Sequence, residues 1–283
     1  MGREHVSVCM PVNAHEPAFL RQAVDSLVRQ SSDAWELLII VERPVREEVQ
    51  HVLATQLADP RIRVLDNEGR RLAGAFNTGM YHASADFVAI LLGDDLWAGN
   101  AVEVLTRSFL EHPGVDFFHS ARVVVDEQCR PISRVYPARA GITLEDFVDS
   151  SPVKHLLCWR RELAVAIGGM DESLDSVGVD DYDFPWSMAE HGAVFHALPD
   201  CLYLYRDHRA CYRLTTHLPL IHHKREIARI LAKHGAGSEA IRRKLGAAEA
   251  SYLRQCLYRS RFDRWLKERR GFDPRAGWRE AYR

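Results

Sequence analysis

The sequence predicts an α/β protein, in which a mostly parallel sheet flanked by helices is followed by a helical C-terminal extension. Short and almost wholly apolar runs alternate with segments whose apolar residues recur at helical spacing. Runs that are apolar on both faces are typical of a parallel sheet covered by helices on each side. Beyond Pro219 the pattern is helical only, with a break at residues 235–237.

The elements follow one another in a regular order through the first third of the chain. Strands are predicted at residues 6–10, 35–41, 62–65 and 87–92, with helices at residues 20–28, 45–57 and 72–83. Later come longer strands at residues 115–125 and 195–205 and a helix at residues 181–191. We interpret residues 1–97 and 98–219 as two halves of one domain, and residues 220–283 as the extension.

Composition places the chain among ordinary globular proteins. It has 283 residues, of which 47% are hydrophobic and 27% charged, enough to bury a large core without disulfides. The longest apolar stretch, residues 87–92, is far shorter than the ~18–20 residues of a membrane span. The first residues carry no apolar signal, so a cytoplasmic location is expected. Six scattered cysteines without a C-x-x-C pair favour reduced, packed thiols.

Charge is distributed unevenly along the chain. Residues 1–220 carry 20 Lys and Arg against 32 Asp and Glu, whereas residues 221–283 carry 17 against 7. The basic tail could dock on the acidic body, contact the inner face of a membrane peripherally, or form a homodimer interface. No nucleic-acid-binding motif is present, so no nucleic acid partner is expected.

Ligands of open α/β sheets bind beyond the carboxyl ends of the strands. No G-x-G-x-x-G loop, G-x-x-x-x-G-K-[ST] loop or G-x-S-x-G elbow occurs there. The usual dehydrogenases, P-loop enzymes and α/β-hydrolases are therefore excluded. Two adjacent carboxylates, Asp94 and Asp95, instead follow the fourth strand, where they suit Mg²⁺ or Mn²⁺ held together with substrate phosphates.

Several features in a fixed order resemble the inverting nucleotide-sugar glycosyltransferases of family 2, which have the GT-A type of Rossmann-like fold. The resemblance runs from about Val6 to about His208. The matching segments are residues 6–12, 20–30 and 35–41, Asn67-Glu68-Gly69 with residues 75–79, residues 85–95 ending in Asp94-Asp95, Gly168-Gly169-Met170-Asp171-Glu172, and Asp180-Asp181-Tyr182-Asp183.

The resemblance implies transfer of a sugar from a nucleoside diphosphate sugar, UDP first and dTDP next, to the hydroxyl of a glycan, lipid-linked or small-molecule acceptor. Asp181 matches the general base of the family, with Asp180 as the alternative. A base at a helix N-terminus should be acidified by the helix dipole. Mn²⁺ or Mg²⁺ is expected on Asp95, together with Asp94, and His208 resembles a histidine that completes the metal shell.

Further residues are assigned to substrates by the same resemblance. The nucleotide-sugar is expected to contact Pro11, Val12, Glu42, Asn67, Arg71 and Asp94. Arg206 and Arg71 are expected to bind phosphate, which guanidinium binds in a bidentate manner. The aromatic residues on the acceptor side are Trp97, His119, Tyr136, His155 and Trp159, each of which is more often a packing residue than a contact.

Some positions depart from the family pattern. Glu42 is followed by Arg43-Pro44 instead of Asp-Gly, Leu92 occupies the first acidic position of the metal motif, and Phe76 replaces an arginine. These changes leave room for an unusual donor, or for an alternative, a catalytically inactive GT-A-like protein that binds a nucleotide or sugar. The presence of Asp94, Asp95, Asp181 and His208 together argues against the inactive alternative. A nucleotidyltransferase would need a Gly-rich loop with Arg and Lys after the first strand, which residues 11–16 do not supply.

Overall fold

The computed structural model describes residues 5–174, 177–208 and 219–258, the last five by their backbone only. Within these residues one eight-stranded sheet has the order β3-β2-β1-β4-β7-β6-β8-β5. The strands are β1 Val6–Val12, β2 Trp35–Val41, β3 Ile62–Asp66, β4 Phe87–Ile90, β5 Leu96–Trp97, β6 Phe117–Val125, β7 Leu157–Arg160 and β8 Phe195–Arg206.

Helices cover both faces of this sheet. The α-helices are α1 Pro17–Val28, α2 Arg46–Val52, α3 Arg71–His82, α4 Ala101–Glu111, α5 Leu144–Asp149, α6 Arg161–Ala166, α7 Phe184–Glu190, α8 Leu220–Lys233 and α9 Ser238–Tyr258. Short 3₁₀ turns occur at Arg43–Val45 and Gln56–Ala58, and a π-helical turn at Val179–Asp183 leads into α7.

The parallel part of the sheet is as predicted, because β3, β2, β1 and β4 are parallel neighbours. The remainder is mixed: β7 runs antiparallel to β4 and β6, β6 is parallel to β8, and β5 is antiparallel to β8. Sequence reasoning missed β7, a buried run of four residues that periodicity alone cannot distinguish from other buried segments. The helix predicted at residues 45–57 is too long, since α2 ends at Val52 and a separate 3₁₀ turn follows.

Alternate residues of the central strands build a core on each face of the sheet. Val8 and Met10 of β1 pack with α1 and α4, whereas Cys9 packs on the opposite face with α3, α7 and α8. Burial raises the pKa of the Cys9 and Cys158 thiols. These thiols are therefore packing groups, as the cysteine spacing predicts.

Helix α3 lies unusually close to the sheet at Gly79. A Cβ atom on Gly79 would lie 2.4 Å from Cys9 Sγ and 3.0 Å from Ile40 Cδ1. The missing side chain therefore allows α3 to pack directly on β1 and β2, which fixes the position of the helix start beside the strand ends.

Gly79→Ala is expected to lower the free energy of unfolding by about 1–3 kcal/mol, because the added methyl overpacks the core. Gly246→Ala in α9 is the matched control, since nothing lies within 4 Å of a Cβ at that position. The control should gain up to ~1 kcal/mol from helix propensity. Urea unfolding measures both changes, and equal shifts of the two midpoints would contradict the close approach.

The described part of the basic tail docks on the acidic body, the first of the three predicted alternatives. Lys233 Nζ lies 2.8 Å from Asp183 Oδ2, and His234 Nε2 lies 3.0 Å from Asp183 Oδ1. The His234 ring also stacks on Trp186 at a centroid distance of 4.3 Å. Asp183 is buried, so these partners compensate for the loss of its hydration. None of the helices described is both long and apolar enough to cross a membrane.

Candidate active site

The parallel order β3-β2-β1-β4 places the carboxyl ends of these strands side by side. The β1 end, Pro11 and Val12, borders Glu42 after β2, whose backbone N–H donates to the Val12 carbonyl at 3.2 Å. Asn67 after β3 donates from Nδ2 to Glu42 Oε1 at 2.7 Å. The structure thus brings these predicted nucleotide-binding residues together at one edge of the sheet.

The loop between β3 and α3 lies tightly against the start of the helix. Asn67 Oδ1 accepts a hydrogen bond from the Gly69 N–H at 3.0 Å, and a Cβ on Gly74 would lie 2.4 Å from the Gly69 carbonyl carbon. Arg71 begins α3 at a φ of +56° and its side chain is exposed. Such left-handed backbone is uncommon for a non-glycine residue and collects at functional sites.

Asn77 and Glu172 join the two halves of the chain, a pairing that sequence reasoning did not foresee. Asn77 is buried, and its Nδ2 donates to Glu172 Oε1 at 2.9 Å. Asn77 Oδ1 accepts from the Met170 N–H at 2.8 Å, and Glu172 Oε2 accepts from the Arg70 N–H at 2.8 Å. Both residues belong to segments that carried the family resemblance, but the contact itself leaves no periodic signal.

Asp95 is enclosed by the protein. Its carboxyl is 1% exposed; Oδ2 accepts from the Tyr203 hydroxyl at 2.7 Å and Oδ1 accepts from the Arg206 N–H at 2.7 Å. Burial, followed by the neighbouring Asp94, raises the pKa of Asp95 well above its usual range. Asp95 therefore ties β8 to the loop after β4.

Asp94 has different surroundings from Asp95. Its side chain is 35% exposed, and Oδ2 lies 3.2 Å from His208 Nε2. The other ring nitrogen of His208, Nδ1, is buried, and no described residue forms a hydrogen bond with it. The ring packs edge-on against Phe19 at a centroid distance of 4.7 Å. A carboxylate and an imidazole in this arrangement fit a divalent cation. Among the described residues no group of three His, Cys, Asp or Glu side chains could hold a metal ion, so further ligands would come from substrate or water.

Arg206 is a structural residue, and the prediction that it binds phosphate is wrong. Its side chain is fully buried; Nε donates to the Asp94 carbonyl at 2.8 Å and Nη1 donates to Gln22 Oε1 at 2.7 Å. The guanidinium also lies over the Phe19 ring at 4.3 Å. Leu92, at the position of the missing acid, is partly buried against the core.

The second acidic pair lies on the π-helical turn that precedes α7. Asp180 is buried, and its Oδ2 lies 3.2 Å from His155 Nε2. Asp181 is partly exposed, and its backbone carbonyl accepts a hydrogen bond from the Ser151 hydroxyl. The helix predicted at residues 181–191 therefore begins as a π-helical turn and becomes α-helical only at Phe184.

The pKa of Asp181 moves in the direction opposite to the one predicted from a helix dipole. Burial raises this pKa, Asp180 raises it further, and the electrostatic influence of His155, Arg122 and Lys154 opposes the rise only in part. A carboxylate with a raised pKa is a stronger proton acceptor than an ordinary aspartate.

Two aromatic rings connect the two acidic pairs. The His155 ring, bonded to Asp180, lies 5.3 Å from the Tyr203 ring, and the Tyr203 hydroxyl donates to Asp95. These rings thus link the chain neighbour of Asp181 to the chain neighbour of Asp94.

Most of the predicted acceptor-side aromatic residues are packing residues. Trp97, His119 and Trp159 lie in the interior, and the Trp159 indole N–H donates to Met80 Sδ. Tyr136 is exposed. Burial lowers the pKa of His119 to about 4, so its ring is neutral at pH 7.

Comparison with known proteins gives a consistent result. The sequence profile of glycosyl transferase family 2 matches residues 7–160. The O-antigen biosynthesis protein RfbC of Myxococcus xanthus is 26% identical over 208 residues, which are 72% of this chain and 16% of that protein. The UDP-Glc:alpha-D-GlcNAc-diphosphoundecaprenol beta-1,3-glucosyltransferase WfgD of Escherichia coli is 32% identical over 108 residues, or 38% of this chain and 42% of the relative. The chain thus spans less than half the length of these two relatives.

Solved structures share the fold at low sequence identity. The structure of S. aureus TarS 1-349 in complex with UDP-GlcNAc has a TM-score of 0.63 at 16% identity, covering 98% of this chain and 79% of that one. The mannosyltransferase PcManGT of Pyrobaculum calidifontis, in complex with GDP-Man and Mn²⁺, has a TM-score of 0.58 at 18% identity, with coverages of 98% and 84%. The likeness shows a shared architecture across both halves of the chain.

Proposed function

The chain belongs to glycosyl transferase family 2, and from that premise we propose that it is an inverting enzyme in which Asp181 is the general base and a divalent cation assists the leaving group. Its fold is of the GT-A type, its function is that of a glycosyltransferase, and nucleotide sugars are the substrates of such enzymes. The observation that carries the proposal is that the His155 and Tyr203 rings link Asp180 to Asp95. These two residues are the chain neighbours of Asp181 and of Asp94, and Asp94 lies beside His208.

Asp181 is proposed to accept the proton of the acceptor hydroxyl as that oxygen attacks the anomeric carbon. Asp180 is less suited to this role, because its carboxylate is buried against His155. The Ser151 hydroxyl holds the backbone of Asp181, and His155 holds the neighbouring carboxylate, so the turn that carries the base is fixed from two sides. The raised pKa of Asp181 favours proton transfer to it.

Asp94 and His208 are proposed to hold Mn²⁺ or Mg²⁺ together with the donor diphosphate. When bound, the cation would neutralise the charge that develops on the leaving diphosphate. Asp95 is better placed as a positioning residue, because both of its oxygens are engaged and its pKa is raised well above the usual range. Pro11, Val12, Glu42, Asn67 and Arg71 are proposed to line the nucleotide-sugar site next to this pair.

UDP-sugars are the donors that we propose first, with dTDP-sugars next. The name of WfgD gives UDP-Glc as its sugar donor, and structures of TarS contain UDP-GlcNAc or UDP. PcManGT, in complex with GDP-Man, shows that the shared fold also accommodates another nucleotide. The acceptor is proposed to be a glycan or lipid-linked hydroxyl, in keeping with the O-antigen and colanic acid roles named for relatives. A cytoplasmic location, and contact of the tail with a membrane or a second copy, stay predictions.

Leu92 favours a second candidate function. It occupies the first acidic position of the family's metal motif, and its side chain packs against the core. The chain would then bind a nucleotide or sugar without transferring it. This candidate differs from the first in turnover and in the dependence of nucleotide binding on the metal.

Calorimetric titration with UDP, dTDP, GDP and CMP, with and without Mn²⁺, tests the proposal. UDP is expected to bind most tightly and at least tenfold more tightly with Mn²⁺, because Asp94 and His208 would hold a cation that neutralises the charge of the diphosphate. Binding that is unaffected by Mn²⁺ and unaccompanied by turnover of any UDP-sugar would favour the second candidate. Absence of binding to all four nucleotides would contradict the first candidate and favour the second as a protein that binds a sugar.

A further inference from the structure

We propose that Arg122 and Lys154 form a binding site beside Asp181 for a phosphate group carried by the acceptor. The proposal deepens the glycosyl transfer proposed above and rests on it in taking Asp181 as the base. Its support comes from two positively charged side chains that form no close ion pair with a carboxylate within the described structure.

Arg122 is positioned by the strand that bears it. It lies on β6 directly after an irregularity in the pairing with β8, opposite Tyr203. Its guanidinium lies over the Tyr205 ring at 5.4 Å. Arg122 Nε is buried, and no hydrogen-bond partner for it lies among the residues described. The guanidinium thus rests on an aromatic face with donor capacity left over, an arrangement suited to bidentate binding of phosphate.

Lys154 lies on the other side of the same acidic region. It directly precedes His155, whose ring bonds Asp180, and its side chain is half-buried. Its segment runs beside β6, because the Ser120 N–H of β6 donates to the Leu156 carbonyl at 3.1 Å, two residues from Lys154 and from Arg122. The positive charge of Arg122 also adds to burial in lowering the pKa of Lys154, while Asp181 opposes them. Two like charges are therefore held near each other in partly buried surroundings, an arrangement that an anion between them would stabilise.

Some other partly buried cations of the chain have carboxylate partners, and others, such as Lys244, are held by a backbone carbonyl. Arg160 Nε lies 2.8 Å from Asp116 Oδ1, and Lys233 Nζ lies 2.8 Å from Asp183 Oδ2. In the described part of the structure no such ion pair is formed by Arg122 or Lys154. Their charges act on Asp181 from beyond ion-pair distance, so neither head group is held by a carboxylate among the residues described.

The location of the pair favours the acceptor as the source of the phosphate. Lys154 belongs to the side of the site that carries Asp180 and Asp181, whereas the donor diphosphate is assigned to Asp94 and His208. An acceptor held at Asp181 would place its own phosphate at the cationic pair. The donor diphosphate has the same chemistry, so the experiment has to separate the two sources.

Methyl phosphate is the probe. It is titrated by calorimetry into the full chain in two states, the free protein and the protein saturated with UDP and Mg²⁺. We expect the wild-type protein to bind it in both states, and Arg122→Gln and Lys154→Gln each to weaken this binding by about tenfold or more, since each removes charged hydrogen bonds. Arg122→Lys and Lys154→Arg keep the charge and should show smaller losses. Arg107→Gln, an exposed arginine on α4, is the matched control and should bind like the wild type.

Three results would overturn the proposal. If methyl phosphate does not bind to the UDP-loaded protein while the Gln variants lose UDP affinity, the phosphate belongs to the donor. If neither methyl phosphate nor UDP affinity changes in any variant, the two cations only balance the acidic pairs. Equal losses in the charge-conserving and the Gln variants, with shifted urea midpoints, would indicate a structural role. Methyl phosphate binding without any nucleotide binding would instead contradict the proposed glycosyl transfer and leave the phosphate site standing.

Discussion

Asp181→Asn is expected to lower the rate of sugar transfer by roughly 10²–10⁴-fold, the usual effect of removing a general base. The amide has nearly the shape of the carboxylate but cannot accept the acceptor proton. Affinity for the nucleoside diphosphate should stay within twofold, because the proposed diphosphate site is on Asp94 and His208, and the His155 and Tyr203 rings lie between Asp180 and Asp95, the neighbours of Asp181 and Asp94. Steady-state transfer measured alongside UDP titration checks both expectations.

Asp180→Asn and Asp33→Asn are the matched controls for this variant. The Asp180 carboxylate is bonded to His155, so Asp180→Asn should lose less activity than Asp181→Asn. The Asp33 side chain is 92% exposed, so Asp33→Asn should have no effect on activity. The raised pKa of Asp181 also predicts the pH dependence of the transfer rate. The rate should fall with decreasing pH as the base is protonated, and this fall should occur at a pH above the ~3.9 that is the pKa of an ordinary aspartate. Normal turnover by Asp181→Asn would contradict the assignment, and a larger loss in Asp180→Asn would transfer the role to Asp180.

The parallel part of the fold could be predicted because its strands are apolar on both faces. Residues 6–10 and 35–41 fall inside β1 and β2, and both strands are almost wholly buried. The antiparallel strand β7 was not predicted, because four buried residues show too little periodicity to identify a strand. Local pattern thus specifies an element that is long and repeated, whereas a short strand is specified by the neighbours it pairs with.

The candidate site could be located from the sequence, but the roles of its members could not be assigned there. The pattern placed Asp94 and Asp95 at a strand end, yet which one is enclosed depends on Tyr203, more than one hundred residues later. Arg206 was assigned to phosphate because arginine binds phosphate, but its guanidinium is used inside the protein. Partners distant in sequence decide whether a charged group faces the ligand.

Asp94→Asn is expected to remove the dependence of UDP binding on Mn²⁺. Replacing a partner of a metal ligand typically costs about 10–100-fold in metal affinity, so loss of the ligand itself should cost at least as much. His208→Ala should produce the same loss, because its ring nitrogen lies 3.2 Å from the Asp94 carboxylate. Titration of UDP at several Mn²⁺ concentrations measures the effect, and binding without Mn²⁺ should be unchanged in both variants.

Asp95→Ala is the comparison that separates the two neighbouring carboxyl groups. If Asp95 positions β8, its removal leaves the Tyr203 hydroxyl and the Arg206 N–H unpaired inside the protein. We then expect the free energy of unfolding to fall by about 1–3 kcal/mol for each buried group left unpaired. Asp94→Asn should leave stability nearly unchanged, since Asp94 is partly exposed. The opposite result, in which Asp95→Ala abolishes the Mn²⁺ effect at full stability while Asp94→Asn retains it, would make Asp95 the metal ligand and Asp94 its support.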